Sequence, residues 1–355
     1  MTSSATPGSA VPGAGVLRAL VARATLAPSP RNAQPWRWTV HPDHVELDLD
    51  VEVARRLEAN DPLGRESIMS CGAALLTLRV AAAEALLEVR VDALPDPHRP
   101  TLLAAVTVAH GAIDAAFADL DAVVPLRQTA WSSFDERPLP EGLAARLAVE
   151  AQVEGAALHD LTGAREALGE VVRRADRDRF EDPRRRAEVA EWISSRWSDD
   201  GHVVPTVAAV PAPAEARPPD LGERIAQRDA GLLLGAPYVG VLSTAADTPA
   251  DWLAAGQALQ RILLVAAGRE VLGGFVSAPC QVPAERDRLR DLLPGRPFPQ
   301  LVLRLGFAVA RPPGTPRRPV DDVVTVEVGP RGRSFRSEPG RVRETATEFT
   351  EDQLG

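Results

Sequence analysis

The chain contains no lysine: all 40 basic residues are arginine, against 49 aspartates and glutamates, for a net charge of −9. An acidic balance argues against nucleic acid as a partner, because phosphate contacts need a basic footprint. The missing lysine, with abundant alanine, proline and glycine, matches a GC-rich genome such as that of an actinobacterium. Each arginine therefore has to be judged by its setting rather than by its mere presence. Cysteine is almost absent as well: Cys71 and Cys280 are too few for a disulfide framework or a cysteine-rich metal centre, and they fit a reducing cytoplasm. No apolar run reaches membrane-spanning length, and the Pro/Gly/Ser-rich start from Met1 to Gly15 has neither the basic residues nor the apolar stretch of a signal peptide. A soluble cytoplasmic protein without a membrane partner is expected. G-x-G-x-x-G, Walker A and G-x-S-x-G are also missing, which removes a dinucleotide-binding domain, a P-loop and a hydrolase nucleophile elbow.

What remains is a 355-residue chain, 45% hydrophobic and 25% charged, long enough for two or three domain-sized units around a sizeable core. Apolar residues Val16, Leu17, Leu20, Val21 and Ala24 fall at helical spacing, and Pro28 ends that pattern. The segment that follows, Ala27 to Trp38, contains Pro28, Pro30 and Pro35, which fix φ and remove backbone donors, so Ser29, Asn32 and Gln34 are held at defined positions. From the residues alone it is either a Pro-rich loop that anchors a core strand or one wall of a ligand site. Trp36–Val40 and Val45–Asp50 alternate and read as a β-hairpin. His41 and His44 between them read as turn residues rather than metal ligands, since no acidic or cysteine partner is evident nearby.

A long Ala/Leu-rich helix is expected from about Ser67 to Leu87, followed by strands at Val89–Val91 and Leu102–Ala109. Residues Cys71–Ala83 align without gaps on Ala255–Ala267, and the second copy is again followed by an apolar strand, Leu301–Gly306. Ala/Leu helices can match by composition alone, but the shared order of elements supports an internal repeat. Helices are further expected at Gly142–Val153, Arg165–Arg179 and Arg184–Trp197. The stretch from Ser198 to Asp220 reads as turn-like, and is either a disordered insertion or a lid.

The segment Ala27–Trp38 resembles the A-P-S-x-x-N-x-Q-P-W-x-[FW] motif of the nitroreductase-type FMN flavoproteins, residue for residue. Further segments resemble the Acg-type, fused branch in actinobacteria: Asp61-Pro62 with Arg65-Glu66, Ser70–Leu75, Asp251–Arg261, and Pro299-Gln300 through Leu305-Gly306. The resemblance runs from about Val16 to Val328. It implies an α+β, nitroreductase-like fold in which two similar α/β halves form an intramolecular pseudo-dimer with one FMN site. The implied organisation is a disordered N-terminus (1–14), a first half (15–120), a second half (121–330) with a lid-like insertion near 198–222, and a flexible tail (331–355).

The resemblance also implies a cofactor set. Pro28, Ser29, Asn32 and Gln34 would line FMN from the first half, and Arg127 and Thr129 would meet its phosphate and ribityl chain from the second. Trp131 stands where a second cation is usual, and Arg317 and Arg318 would restore that charge. Ala278, Pro279, Cys280 and Gln281 follow a Gly-rich turn and would offer backbone donors near flavin N5, with Cys280 as a packed side chain rather than a nucleophile. No catalytic side chain and no metal is assigned, because the flavin does the chemistry. The implied activity is NAD(P)H-dependent reduction of a nitro compound, quinone or related small acceptor by a monomer, with nicotinamide bound transiently. The alternatives are a protein that stores FMN under a closed lid and a pathway-specific flavin dehydrogenase or oxidase.

Overall fold

A computed structural model describes residues 12–194, 218–312 and 314–327. Most of the expected N-terminal tail (1–14), most of the lid-like insertion and the C-terminal tail lie outside the described residues, and Ala14 already belongs to the first helix. In the first half the chain forms α1 (Ala14–Ala24), β1 (Trp36–Val40), β2 (Val45–Leu49), the short α2 (Val51–Arg55), α3 (Arg65–Glu84), β3 (Leu87–Ala93), β4 (Leu102–His110) and the short α4 (Ala115–Ala118). The remainder forms α5 (Leu143–Val153), β5 (Ala157–Asp160), α6 (Arg165–Glu181), α7 (Pro183–Ser194), α8 (Pro218–Leu234), β6 (Tyr238–Thr244), α9 (Pro249–Ala267), β7 (Leu272–Val276), α10 (Ala278–Gln281), α11 (Pro283–Asp291), β8 (Phe298–Gly306), α12 (Val320–Val323) and β9 (Val324–Val326).

Strand order repeats between the halves. One sheet runs β3-β4-β2-β1-β9 and the other β5-β6-β8-β7, so the first four strands of each half follow the same antiparallel order. α3 and α9 occupy equivalent places, each between the second and third strands of its half. The exception is β9, which leaves the C-terminal half and pairs in parallel with β1, Trp38 opposite Val324.

The halves meet where α3 and α9 cross. A Cβ on Gly72 would run into the Leu253 carbonyl oxygen of α9, and one on Gly256 into the Met69 carbonyl oxygen of α3. The same sequence offset relates Gly72 to Gly256 and Met69 to Leu253, so the contact is isologous, as at a two-fold dimer interface. Glycine is required here for close approach, not for an unusual φ. Around the crossing one apolar cluster spans both halves, from Trp36, Trp38 and Leu75 to Leu259, Ile262 and Leu303. A neighbouring hydrogen bond from Gln260 Nε2 to Thr77 Oγ1 (2.9 Å) crosses the same seam, while Gln260 Oε1 is buried without a partner among the described residues.

The second sheet is covered on both faces. A separate cluster joins Val239, Val241 and Val302 to Leu168, Val172, Leu233 and Leu289 of α6, α8 and α11. That explains why β6 is buried at every position while β1 alternates. β6 lacks the alternation that marks a half-buried strand, and sequence reading passed over it.

Two expectations are corrected. Pro218, Pro219 and Asp220 do not continue an irregular segment but open α8, where proline's missing N–H and fixed φ suit the first helical turn. α3 is long and apolar enough to cross a bilayer by length and composition, although no such run was expected, and it is packed inside the protein as a core helix.

Substituting Gly256→Val should overpack the crossing and destabilise the protein by about 1–3 kcal/mol or more, because backbone, not a flexible side chain, stands in the way. Thermal unfolding checks this: an unchanged melting temperature would show that the helices do not depend on that close approach.

Candidate active site

The turn after α1 is strained. Arg31, Asn32 and Gln34 have φ values of 50°, 59° and 53°, in the left-handed region that L-residues other than asparagine and aspartate seldom adopt. Each such residue costs on the order of 1–3 kcal/mol unless the surroundings over-determine it. Here they do. The Gln34 N–H donates to Ser29 Oγ (2.9 Å) and Gln34 Nε2 to the Asn32 carbonyl (3.3 Å), while Gln34 Oε1 accepts from the Arg318 N–H (3.0 Å). Asn32 Nδ2 donates to the Pro316 carbonyl (2.8 Å), and Asn32 Oδ1 accepts from Arg317 Nη1 (3.2 Å). The motif is sewn to a segment almost 300 residues away in sequence.

This turn forms one wall of a cavity of about 310 Å³. From the first half come Pro28, Ser29, Pro30, Arg31 and Asn32 with Glu66, Met69, Ser70 and Ala73 of α3. Facing them are Val124–Thr129 in part, Trp131, the β7–α10 segment, one face of α6 and of α8, and Thr315 with Arg317. Six arginines line the cavity (31, 127, 179, 228, 304 and 317) against two acids, Glu66 and Asp229, in a chain of net charge −9. Such an excess of cation around a concave site draws anions.

Arg127 and Arg317 differ in how far they are committed. Arg317 donates through Nε to the Thr25 carbonyl (2.7 Å) and through Nη2 to those of Leu26 and Ala27 (3.0 and 3.2 Å), and Nη1 bonds to Thr315 Oγ1 (2.6 Å). It caps the C-terminal end of α1, where carbonyls lack helical partners and the macrodipole is negative. Arg127 is looser: its contacts to the Leu26 carbonyl (3.3 Å) and Thr129 Oγ1 (3.5 Å) are long, and its buried Nε has no partner among the described residues. Burial, with Arg317's charge beside it, pulls Arg127 down to about 9, and burial pulls Arg317 down to about 10. Guanidinium stays charged in proteins, so these shifts express a desolvation cost that an anion in the cavity would offset.

Away from this pair the cavity is bordered by buried charge. Glu66 accepts from Arg65 Nη2 (3.1 Å) and from Gln281 Nε2 (3.1 Å to each oxygen), and burial pushes its carboxyl up against the pull of Arg65. Behind the wall, Asp176 of α6 takes a hydrogen bond from Arg179 Nη2 (2.8 Å), yet its other oxygen is buried without a partner among the described residues, and burial and Asp229 push it up to about 7. Asp229 of α8 is likewise raised by burial.

Of the residues expected at the site, Pro28, Ser29, Asn32, Arg127, Thr129, Ala278, Gln281 and Arg317 line the cavity, and Gln34, Pro279, Cys280 and Arg318 do not. Gln34 is fully buried inside the turn and serves its geometry. The Arg318 guanidinium turns toward Asp50 (3.6 Å) and the Asp322 carbonyl, so of the paired arginines one lines the cavity. The Cys280 thiol packs in the second apolar cluster and is pushed up by burial, and the Cys280 N–H already donates to the Ser277 carbonyl (2.9 Å). Sequence reading passed over Arg31, Arg179, Arg228 and Asp229. In a chain whose every cation is arginine, the three on α6 and α8 look like the solvated face of a helix until the fold turns them inward. It also missed the acidic neighbour of the hairpin histidines: Glu46 Oε2 lies 3.6 Å from His41 Nε2 and Oε1 lies 3.8 Å from His44 Nε2. Arg99 holds both Glu46 oxygens (2.9 and 2.8 Å), and the rings stack nearly parallel at 4.3 Å.

No family model matches the chain. It is 33% identical over 313 residues to a Mycobacterium tuberculosis protein named "Putative NAD(P)H nitroreductase", covering 84% of this chain and 88% of the relative. It is 30% identical over 311 residues to a second protein of that organism with the same description, named acg, covering 84% and 92%. Among solved structures, an FMN- and NADPH-dependent nitroreductase from a Sphingopyxis species aligns at a TM-score of 0.40 and 19% identity, over 59% of this chain and 99% of its own. On the sequence relationship, the chain belongs to the NAD(P)H nitroreductase-like family.

Proposed function

We propose that the cavity between the halves holds FMN and that the protein is an NAD(P)H-dependent flavin oxidoreductase acting on a small organic acceptor. The observation that carries this reading is Arg127: a buried guanidinium whose Nε has no partner and which has no carboxylate beside it among the described residues, next to Arg317 in a cavity rich in positive charge. The donor set suits a phosphate monoester, which takes several charge-assisted hydrogen bonds at once. Arg127 would hold the phosphate, Thr129 and Thr315 would supply hydroxyls, and the Pro28–Asn32 turn would set the opposite wall. When bound, FMN supplies hydride acceptance and donation at N5.

The chain's own contribution is to position and to exclude. Strained, over-determined backbone at Arg31 and Asn32 resists displacement, so the wall is pre-organised rather than moulded by its ligand. Met69, Phe180, Leu259 and Phe275 give the cavity apolar surface that displaces water from a flat ring system. In this reading the protein works as a cytoplasmic monomer on a small molecule, and its net charge of −9 is unsuited to nucleic acid. The two repeated halves would serve as an internal pseudo-dimer, with the C-terminal segment closing the phosphate end.

Anaerobic mixing of the FMN-loaded protein with NADPH tests the activity. Bleaching of the oxidised flavin band supports a reductase, and an unchanged band with FMN retained would identify a protein that stores flavin and sink the enzymatic reading. Arg127→Ala should weaken FMN retention by about 10- to 100-fold, the worth of one or two charge-assisted hydrogen bonds. Equilibrium dialysis reads it, and wild-type affinity in the variant would contradict the phosphate assignment.

A further inference from the structure

Arg31 has a role that flavin binding leaves open. It lies in the cavity wall with its backbone at φ 50°, a conformation costly for arginine, although a glycine or asparagine there would relieve the strain. Its half-buried side chain borders the cavity and makes no hydrogen bond or ion pair to any described residue. The nearby acids direct their hydrogen bonds elsewhere, Glu66 to Arg65 and Gln281, and Glu188 to the Ala59 N–H (2.7 Å) and Asn60 Nδ2 (2.5 Å), and act on Arg31 through their charge alone. The neighbouring cation is Arg179, whose Nη2 binds Asp176, whose Nη1 reaches Gln281 Oε1 only at 3.5 Å, and whose buried Nε has no partner among the described residues. Burial and the charge of Arg179 bring Arg31 down to about 10 against the pull of Glu188 and Glu66, and both arginines line the same cavity. Two like charges with spare donors facing one cavity form a receptor for an anion.

We propose that Arg31 and Arg179 bind the carboxylate of an organic-acid substrate whose apolar body lies in the same cavity, beside Met69 and Phe180. This rests on the flavin reading, since Arg127 and Arg317 are then occupied by phosphate and the second cation pair is left for the substrate. A carboxylate matches the planar fork of guanidinium better than a neutral nitro or amide group does, and it would take the donors that the protein leaves unpaired. Selectivity follows from the same fact. A neutral analogue leaves Arg31 without an anionic partner and the spare donors of Arg179 unused, so the cavity discriminates by charge before it discriminates by shape.

Isothermal titration of the FMN-loaded protein with 4-nitrobenzoate and with its neutral analogue 4-nitrobenzamide tests this without requiring turnover. The acid should bind at least about tenfold more tightly, and Arg31→Gln should abolish that preference while Arg31→Lys retains part of it. Equal binding of the two compounds to the wild-type protein would overturn the proposal with no variant needed. It would equally be overturned if Arg31→Gln kept the preference, or if the variant lost FMN affinity and left the preference intact, since Arg31 would then serve the flavin. If the protein takes up no FMN, the flavin reading fails first. The same titration on the flavin-free protein then decides between the sites, because a preference lost in Arg127→Ala and retained in Arg31→Gln places the anion at the other cation pair and refutes the assignment.

Discussion

Everything at the site depends on the close approach of two helix backbones at Gly72 and Gly256. Each glycine sits against the carbonyl of the residue equivalent to the other's neighbour, so the contact repeats itself about a two-fold relation within one chain. That approach sets how near the two sheets stand and merges their inner faces into one core. α3 carries Glu66 and Met69 on the stretch beside Gly72, and α9 carries Leu259 just beyond Gly256, so the helices that make the seam also present side chains to the cavity. Widening the seam would separate the walls.

A second fastening closes the other end. The C-terminal segment returns to the first half, lays β9 parallel to β1, and places Arg317 on the carbonyls of Thr25, Leu26 and Ala27 that follow α1. The Pro28–Gln34 turn is then clamped from both sides, by α1 behind it and by residues 315–318 across it. Three left-handed residues within four positions become tolerable because nearly every polar group of the turn has a fixed partner. Strain at the wall and cation excess in the cavity are two consequences of one arrangement, in which the protein satisfies its own turn and leaves Arg127, Arg31 and Arg179 with donors to spare.

Much of this was legible in the sequence. The hairpin expected at Trp36–Val40 and Val45–Asp50 forms, with alternation kept in β1 but lost in β2, where Glu46 is buried too, and the gapless match of Cys71–Ala83 to Ala255–Ala267 identified the two helices that cross, together with both glycines. The site motif was legible because prolines and asparagine encode a turn locally. What stayed hidden is non-local. Nothing near Gln34 or Arg318 says that one holds the other, or that the Arg318 side chain leaves the cavity while Arg317 lines it. β6 was missed because a strand covered on both faces loses its alternation. The inward charges on α6 and α8 were missed because an arginine-rich amphipathic helix looks the same whether its polar face meets solvent or a cavity. Arg31 stood in plain view inside the motif, but only its left-handed backbone and its lack of a partner among the described residues single it out.

The central claim is that two halves of one chain build one flavin site between them. Flavin content per chain, measured by absorbance of the released cofactor against total protein, together with the mass of the complex in solution, tests it most directly. The account predicts one FMN per chain in a monomer. Two FMN per chain, or binding that appears only when two chains associate, would contradict it.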